Sequence, residues 1–166
     1  DFEEVYRIME QSFPADERRK KEGQQKLLDE EKYELLGVRN EGGLLAFLAV
    51  WEFAEFVFIE HFAVSEKARN SGIGGKMLEE LARQKAGKVC SGGGIAGGFP
   101  EKRRIRVIER HGFTFNEYPY IQPPMGEDRH EIPLRIMSAP EPLSEDEFQS
   151  VRTELYESVY HYVCEE

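Results

Sequence analysis

The sequence predicts an α/β fold of the α+β type, in which helices flank a central, mostly antiparallel sheet. Three observations carry this prediction. An amphipathic helical pattern opens the chain, three extended segments joined by short turns follow, and the third runs through a glycine-containing turn into another helix. The chain has 166 residues, 40% hydrophobic and 33% charged, which is typical of one soluble globular domain.

Two helices are predicted at the start of the chain. The first covers residues 1–12 and has an apolar face of Phe2, Val5, Ile8 and Met9. Pro14 should end it, because proline removes a backbone donor and disfavours helix in the residue before it. We expect Asp16 to cap a second helix that runs to about Glu31. Its basic run, residues 18–21, is interpreted as a solvated helix face.

Three strands are predicted next. Tyr33–Arg39 and Leu44–Phe53 flank a turn at residues 40–43, where glycine supplies a positive φ. The run Phe56–Val64 is rich in β-branched and aromatic residues, as expected for a buried strand. The three segments together predict an antiparallel meander.

A turn with three glycines links the third strand to the next helix. Gly72, Gly74 and Gly75 lie at the start of an apolar helical pattern formed by Ile73, Met77, Leu78 and Leu81. The first N–H groups of a helix have no partner inside it, and the helix dipole favours negative charge there. Glycine also lets a phosphate approach the backbone, because it has no Cβ. The turn is therefore a candidate anion site.

The pattern Arg69-x-x-Gly72-x-Gly74 resembles the acyl-CoA-binding signature of the GNAT superfamily of N-acetyltransferases. The segment from Arg103 to Phe113 is similar to the second family signature, with Gly112 as a helix C-cap. The resemblance covers roughly residues 33–138, and the family's first strand is not in this sequence. It implies the GNAT fold, in which an acyl-CoA cleft opens between two splayed parallel strands of a mixed, twisted sheet.

The resemblance also sets expectations for the second half of the chain. A strand parallel to the third should follow Lys88, and a helix should end at His111-Gly112. Residues 113–116 and 131–137 should be antiparallel strands separated by a proline-rich loop. We expect residues 1–140 to form the acetyltransferase domain. Residues 141–166 should form an amphipathic helix that packs on that domain or at a homodimer interface.

Residues 91–100 depart from the family pattern, because they are rich in glycine where an apolar strand is expected. Two explanations stay open. The spacing Gly92-x-Gly94-x-x-Gly97 matches a dinucleotide-binding fingerprint, which would indicate a nucleotide-binding protein. Alternatively, the segment is recorded out of frame, since a one-base shift of permitted codons encodes Leu-Glu-Val-Glu-Leu-Pro-Glu, which alternates as a strand should.

By resemblance, the backbone of Phe62, Ala63 and Val64 would hold the pantetheine arm of acetyl-CoA. The Val64 N–H would polarise the thioester carbonyl. The glycine turn would surround the pyrophosphate with N–H groups, and Lys76 would add charge or remain a solvated helix lysine. The predicted cofactor-binding residues are Phe62, Ala63, Val64, Arg69, Asn70, Ser71, Gly72, Ile73, Gly74, Gly75 and Lys76.

Glu60 is the candidate general base, which would take a proton from the attacking amine. Strand alternation places it on one face with Phe58 and Phe62, and puts His61 on the other. A carboxylate held among aromatic rings should have a raised pKa, which suits a base. The alternative is a structural acid paired with a nearby cation.

The family's general acid is a tyrosine four residues before the glycine of the second signature, where this chain has Ile108. Isoleucine cannot donate a proton. The acid is therefore absent, or Tyr118 or Tyr120 replaces it, or the sequence is recorded incorrectly at this point. A nearby basic cluster would meet the 3′-phosphate of CoA or form a solvated face; it contains Lys102, Arg103, Arg104, Arg106 and Arg110.

These residues predict an N-acetyltransferase that moves acetyl from acetyl-CoA to a primary amine, of a small molecule or a protein, by direct attack in a ternary complex. A catalytically silent acyl-CoA-binding module, acting as a sensor or partner, is the alternative.

A net charge of −10 argues against nucleic-acid binding, and no apolar run is long enough to span a membrane. Two distant cysteines and four histidines without metal spacing predict a cytoplasmic protein without a metal.

Overall fold

The computed structural model describes residues 2–69, 71–84, 88–94, 106, 108–125 and 129–160. A seven-stranded mixed sheet carries helices on both faces, which confirms the predicted fold class. Among the described residues, no helix is both long and apolar enough to cross a membrane.

The N-terminal segment confirms one predicted helix and not the other. Helix α1 spans Phe2–Ser12. The predicted helix from Asp16 to Glu31 is wrong. Its place is taken by a 3₁₀ turn at Ala15–Glu17, a short helix α2 at Lys21–Lys26, and a 3₁₀ turn at Leu27–Asp29.

The gap between these pieces has a physical reason. Arg18 and Lys20 have extended backbone, and the Arg19 side chain between them is 0% exposed. The interpretation of residues 18–21 as a solvated helix face is therefore wrong for Arg19. Asp16 does not act as a helix cap either, because it lies inside the first 3₁₀ turn and accepts a bond from the backbone N–H of His130 at 2.9 Å.

Seven strands form the sheet, in the order β1-β2-β3-β4-β7-β5, and β6 also pairs with β7. Their bounds are β1 Tyr33–Asn40, β2 Gly43–Glu52, β3 Phe56–Val64, β4 Lys88–Gly94, β5 Thr114–Phe115, β6 Tyr120–Gln122 and β7 Ile132–Ala139. The β3–β4 pair is parallel and the other pairs are antiparallel. The meander and the parallel fourth strand are confirmed, whereas β6 occupies a stretch predicted to be a loop.

Strand β4 forms although its second half is mostly glycine. It lies between β3 and β7, and its ladder with β7 runs from Val89 opposite Ala139 to Gly94 opposite Leu134. Pairing on both edges therefore outweighs the low strand propensity of glycine. Gly92 and Gly94 are ladder residues rather than part of a phosphate-binding turn, which argues against the dinucleotide fingerprint. Residues 95–100 lie outside the described part of the chain.

The parallel strands β3 and β4 separate partway along their length, as the resemblance implies. Their pairing starts at Phe56 opposite Lys88 and ends at Ile59 opposite Ser91, but β3 continues to Val64. Beyond Ile59, no described strand pairs with the edge of β3 that faces β4. The splayed pair leaves an open strand edge in the middle of the sheet.

Hydrophobic cores lie on both faces of the sheet. On one face, which we call the α1 face, α1 packs with helix α4, Glu145–Glu154, and a π-helical turn at Leu155–Val159. On the other, the α3 face, helix α3, Ile73–Gln84, packs with a helical turn at residues 108–110. Gly112 follows that turn with φ of 92°, so it has the predicted C-cap conformation.

Candidate functional site

A β-bulge lies where β3 leaves β4. Ala49 of β2 pairs with His61, but the next residue, Val50, pairs with Ile59. Glu60 is therefore one extra residue in β3, and such a bulge locally breaks the alternation of side chains between the two faces. The bulge follows directly after Ile59, the last residue of β3 that pairs with β4.

The bulge corrects the predicted orientation of the strand. Phe58 packs in the core of the α1 face, whereas Phe62 packs in the core of the α3 face. Glu60 and His61 both turn to the α1 face, where the His61 ring packs edge-on against Phe13 at a centroid distance of 4.8 Å. The prediction that Glu60 shares a face with Phe62, opposite His61, is wrong because it assumed an unbroken alternation.

The Glu60 carboxylate is buried and bonded through both oxygens. Arg19 Nη1 donates to Oε2 at 2.8 Å and Trp51 Nε1 donates to Oε1 at 2.9 Å, while the Glu60 side chain is only 3% exposed. Burial alone would raise the pKa of Glu60, but the Arg19 guanidinium, assisted by His61 and by these two bonds, lowers it below the usual value. The expected raised pKa is therefore wrong, and the geometry matches the alternative of an acid paired with a cation.

Arg19 is a residue that sequence reasoning missed. Besides Glu60, its side chain contacts the end of the chain's last described helix, because Nη2 donates to the backbone oxygen of Val159 at 3.2 Å. The Tyr6 hydroxyl donates to the backbone oxygen of Arg19 at 2.6 Å. The only signal in the sequence was its place in a basic run, and such runs are usually solvated.

The open edge of β3 presents backbone groups to the cleft. The Ser65 N–H donates to Leu45 O of β2 at 2.7 Å. Successive residues of a strand direct their backbone polar groups to opposite edges, so those of Val64 and Phe62 face the edge that β4 has left. Phe62 and Ala63 have buried side chains and Val64 is half-buried. This arrangement lets an extended ligand bind along the strand.

The glycine turn opens α3 beside this edge. Gly72 has a φ of +82° and is exposed, and no heavy atom of the described residues lies within 4 Å of the position of a Cβ. Gly74 is buried, and a Cβ there would lie 2.9 Å from Phe62 Cζ and 3.1 Å from Val64 Cγ2. Glycine at position 74 thus lets the helix start pack directly on β3, while Gly72 provides the conformation of the turn.

Gly75 contacts a residue from the second family signature. A Cβ at Gly75 would overlap His111 Nε2, so the imidazole occupies the space that glycine leaves. The same ring lies 3.1 Å from Glu79 through Nδ1. The two glycine-containing signatures therefore pack on each other, a contact that the sequence did not suggest.

The remaining predicted cofactor residues surround the turn. Arg69 is half-buried with extended backbone, Ile73 is half-buried, and Ser71 and Lys76 are exposed. Asn70 lies outside the described residues. Of the basic cluster, Arg106 and Arg110 are exposed, and Lys102, Arg103 and Arg104 also fall outside the described part of the chain.

The two candidate acid tyrosines have different surroundings. The Tyr118 hydroxyl donates to Leu143 O at 3.1 Å, and its ring stacks on Phe148. Tyr120 is 2% exposed, and burial, the neighbouring Tyr160 and the charge of Glu60 raise its pKa well above 10. Burial thus keeps the Tyr120 hydroxyl protonated.

Ile108, which occupies the position of the family's tyrosine, is 3% exposed in the core of the α3 face. Ile108 therefore contributes to packing at that position.

In the described ranges, no group of three or more His, Cys, Asp or Glu side chains could hold a metal ion.

A family model described as the acetyltransferase (GNAT) family matches residues 2–113. A search of curated proteins found no match. Among solved structures, a protein from Bacteroides thetaiotaomicron described as a GNAT-family acetyltransferase is similar, with a TM-score of 0.83 and 28% identity over 96% of this chain and 91% of that chain.

Two further structures share the fold at lower identity. One is the ribosomal-protein-S18-alanine N-acetyltransferase from Escherichia coli, with a TM-score of 0.59 and 20% identity over 88% of this chain and 91% of that chain. The other is a phosphinothricin acetyltransferase from Sinorhizobium meliloti in complex with AcCoA, with a TM-score of 0.59 and 15% identity over 87% of this chain and 85% of that chain.

Proposed function

The chain belongs to the acetyltransferase (GNAT) family, and we propose that it transfers acetyl from acetyl-CoA to a primary amine by direct attack in a ternary complex. The observation that carries this proposal is the open edge of β3 beyond Ile59, which lies next to the glycine turn that starts α3. A strand edge can bind an amide-containing arm, and a helix start can bind a phosphate.

Acetyl-CoA would bind along these two features. The backbone groups of Phe62 and Val64, on either side of Ala63, would pair with the pantetheine arm, and the Val64 N–H would donate to the thioester carbonyl as negative charge develops on its oxygen. The N–H groups of Gly72, Gly74 and Gly75 at the start of α3 would surround the pyrophosphate, because those of Arg69, Ser71 and Lys76 already donate to backbone oxygens of the chain. Exposed Gly72 leaves room for it, and the exposed Lys76 ammonium would add positive charge.

Two side chains on the α1 face would move the protons of the reaction. Glu60 is the proposed base; each of its carboxylate oxygens has a lone pair beyond the one used by Arg19 or Trp51, through which it can take the amine proton directly or through water. Tyr120 is the proposed acid for the departing CoA thiolate, and its hydroxyl carries a proton at neutral pH because burial raises its pKa.

The acceptor is proposed to be a primary amine of a small molecule or a protein. The nitrogen attacks the thioester carbonyl carbon, the C–S bond breaks, one amine proton passes to Glu60, and the thiolate takes a proton from Tyr120. Positioned proton transfer of this kind contributes roughly 10²–10⁴-fold in rate. The S18-alanine N-acetyltransferase of Escherichia coli, which shares the fold, acts on an amine by its name.

A silent acyl-CoA-binding module remains the second candidate. Two observations favour it: Ile108 lies in the core where the family has a tyrosine, and both oxygens of Glu60 are engaged. Release of CoA thiol from acetyl-CoA in the presence of a panel of primary amines separates the two candidates, because only the enzyme releases thiol faster than the solution without protein.

The unit that carries out the reaction is proposed to include the C-terminal helix. Residues 1–140 contain the sheet and the cleft, and α4 with its π-helical turn buries Phe148, Leu155 and Val159 in the core of the α1 face. Residues 141–166 are thus proposed to belong to the same domain.

The cofactor proposal is tested by thermal unfolding with acetyl-CoA, CoA and NAD. A ligand that binds only the native state at 100 times its Kd stabilises it by about 2.7 kcal/mol, so acetyl-CoA and CoA should raise Tm and NAD should not. An unchanged Tm at saturating acetyl-CoA would contradict the proposed cofactor. A rise with NAD alone would support a nucleotide-binding protein instead.

A further inference from the structure

We propose that Arg19 is a positioning residue for acetyl transfer, which fixes the Glu60 carboxylate at the bulge and joins it to the end of the C-terminal helix. This inference rests on the proposed role of Glu60 as the base. It assigns a function to a residue that lies outside the two family signatures and outside the strands.

The Arg19 side chain joins two distant parts of the chain. Its guanidinium uses two nitrogens, with Nη1 on Glu60 Oε2 at 2.8 Å and Nη2 on Val159 O at 3.2 Å. A planar guanidinium can hold two acceptors at fixed angles, whereas a lysine ammonium has no such fork. The orientation of Glu60 is thus tied to the position of the C-terminal helix.

The backbone around Arg19 is itself held in place. The Tyr6 hydroxyl donates to Arg19 O at 2.6 Å, His61 Nε2 lies 2.8 Å from Glu17 O, and Gln122 Nε2 donates to Asp16 O at 3.0 Å. Helix α1 and strands β3 and β6 therefore all fix the segment that carries the guanidinium. Such support is needed if the guanidinium is to orient another side chain.

Trp51 completes the arrangement from the other side of the carboxylate. Its Nε1 donates to Oε1 at 2.9 Å, and its ring packs edge-on against Tyr33. With Arg19 on Oε2 and Trp51 on Oε1, the plane of the carboxylate is set by two donors from different elements. The lone pairs that remain for a proton consequently have a defined direction.

The charge of Arg19 also keeps Glu60 ionised. Burial opposes ionisation, and the guanidinium is the largest of the effects that favour it. The titratable or charged groups that act on this carboxylate or are influenced by it are Arg19, His61, Tyr33, Tyr120 and Tyr160. Loss of the Arg19 charge should shift the titration of Glu60 to higher pH, and the three tyrosines, which their raised pKa values keep neutral, supply no compensating charge.

The test compares the pH dependence of kcat/KM in the wild type and in Arg19→Gln, Arg19→Lys and Arg18→Gln. Arg19→Gln should lower kcat by about 10²-fold, because the base is misplaced. It should also move the acidic limb of the pH profile of kcat/KM, where Glu60 becomes protonated, to higher pH. Arg19→Lys restores a charge but not the fork, so the limb should return towards its original place while kcat stays low. Acetyl-CoA binding, measured by thermal shift, should be unchanged.

Arg18→Gln is the matched control. Arg18 has the same charge and adjoins Arg19, but it donates to Phe13 O and to the Tyr6 hydroxyl rather than to Glu60. It should leave the acidic limb in place. A role of Arg19 in stability alone would lower Tm without moving the limb.

The outcomes separate this inference from the proposed function. If the wild type turns over, an unmoved acidic limb in Arg19→Gln would overturn the role of Arg19 alone. If Arg19→Gln does not fold, an unmoved limb together with an unchanged kcat in Arg19→Lys would overturn it. Absence of turnover in a wild-type protein that binds acetyl-CoA would overturn the proposed function and, with it, the positioning role.

Discussion

Arg19 and Glu60 form an ion pair between Nη1 and Oε2 at 2.8 Å, with side chains that are 0% and 3% exposed. They are separated by 41 residues in the sequence. In a buried pair, desolvation of the two charges offsets much of their attraction, but removal of one partner leaves an uncompensated charge and costs about 3–5 kcal/mol. A change at either residue must therefore be judged by stability as well as by rate.

Substitution of Glu60 by glutamine should lower turnover more than cofactor binding. Glutamine keeps the size of the side chain and an acceptor for one donor, but it removes the base, so turnover should fall by about 10²–10⁴-fold while acetyl-CoA affinity changes little. Steady-state rates with an acceptor found in the amine screen, together with thermal shifts, measure both effects. Glu55→Gln, at an exposed acid between β2 and β3, is the control.

The pH dependence of this loss identifies the role of Glu60. If it removes the amine proton, the loss should be smaller at high pH, where more amine is already neutral. An equally large loss at every pH would indicate positioning of the acceptor, and unaltered turnover at neutral pH would remove Glu60 from the mechanism.

The ion pair should also make stability depend on pH in the acidic range. The pKa of Glu60 is lowered in the folded protein, so its contribution is present above the unfolded pKa, near 4.3, and is lost as pH falls through the folded value. The difference in free energy of unfolding between wild type and Glu60→Gln should consequently shrink below about pH 4. Urea unfolding at several pH values measures it, and a difference that stays constant to acidic pH would contradict the pairing.

The candidate acids can be separated by a matched pair of variants. Tyr120→Phe should lower turnover by about 10²–10⁴-fold if the Tyr120 hydroxyl protonates the thiolate. Tyr118→Phe removes a hydroxyl bonded to Leu143 O and should cost about 1 kcal/mol of stability with little change in turnover. Rates and Tm of both variants provide the comparison. Equal turnover in Tyr120→Phe and wild type would exclude Tyr120 as the acid.

Gly74→Ala should destabilise the protein, although alanine favours helices more than glycine does. The new Cβ would lie 2.9 Å from Phe62 Cζ, in a buried contact, and overpacking of this kind costs about 1–3 kcal/mol. Phe62→Leu removes Cζ, so the double variant should recover part of the loss. Denaturant unfolding of the four proteins measures the coupling. A Gly74→Ala protein more stable than wild type would show that helix propensity outweighs the contact.

The sequence predicted the sheet well because its signals are local. The apolar run from Phe56 to Val64 matches β3 at both ends, and the turn before β2 has its positive φ at Gly43. Strand β4 was harder, since its glycines have low strand propensity and only the neighbours β3 and β7 stabilise it. Strand β6 lies between Pro119 and Pro123, which favoured a loop.

The errors at the site come from long-range effects. The bulge at Glu60 has no marker in the sequence, so strict alternation placed Phe62 on the wrong face. Residues 18–21 have good helix propensity, but burial of Arg19 against Glu60 and Val159 outweighs it. The direction of the pKa shift of Glu60 was also predicted wrongly, because it depends on a cation that pairs with Glu60 only in the folded protein.

The bond from Arg19 Nη2 to Val159 O spans 140 residues of the chain. A protein leaves the ribosome with its N-terminus first, so Arg19 and Glu60 emerge long before Val159 is added to the chain. In a nascent chain Arg19 can pair with Glu60, but its Nη2 has no acceptor until Val159 has been added. A chain stopped before residue 159 would lack the acceptor of this bond. The second bond of the guanidinium therefore forms only after the helical turn at Leu155–Val159 has been synthesised.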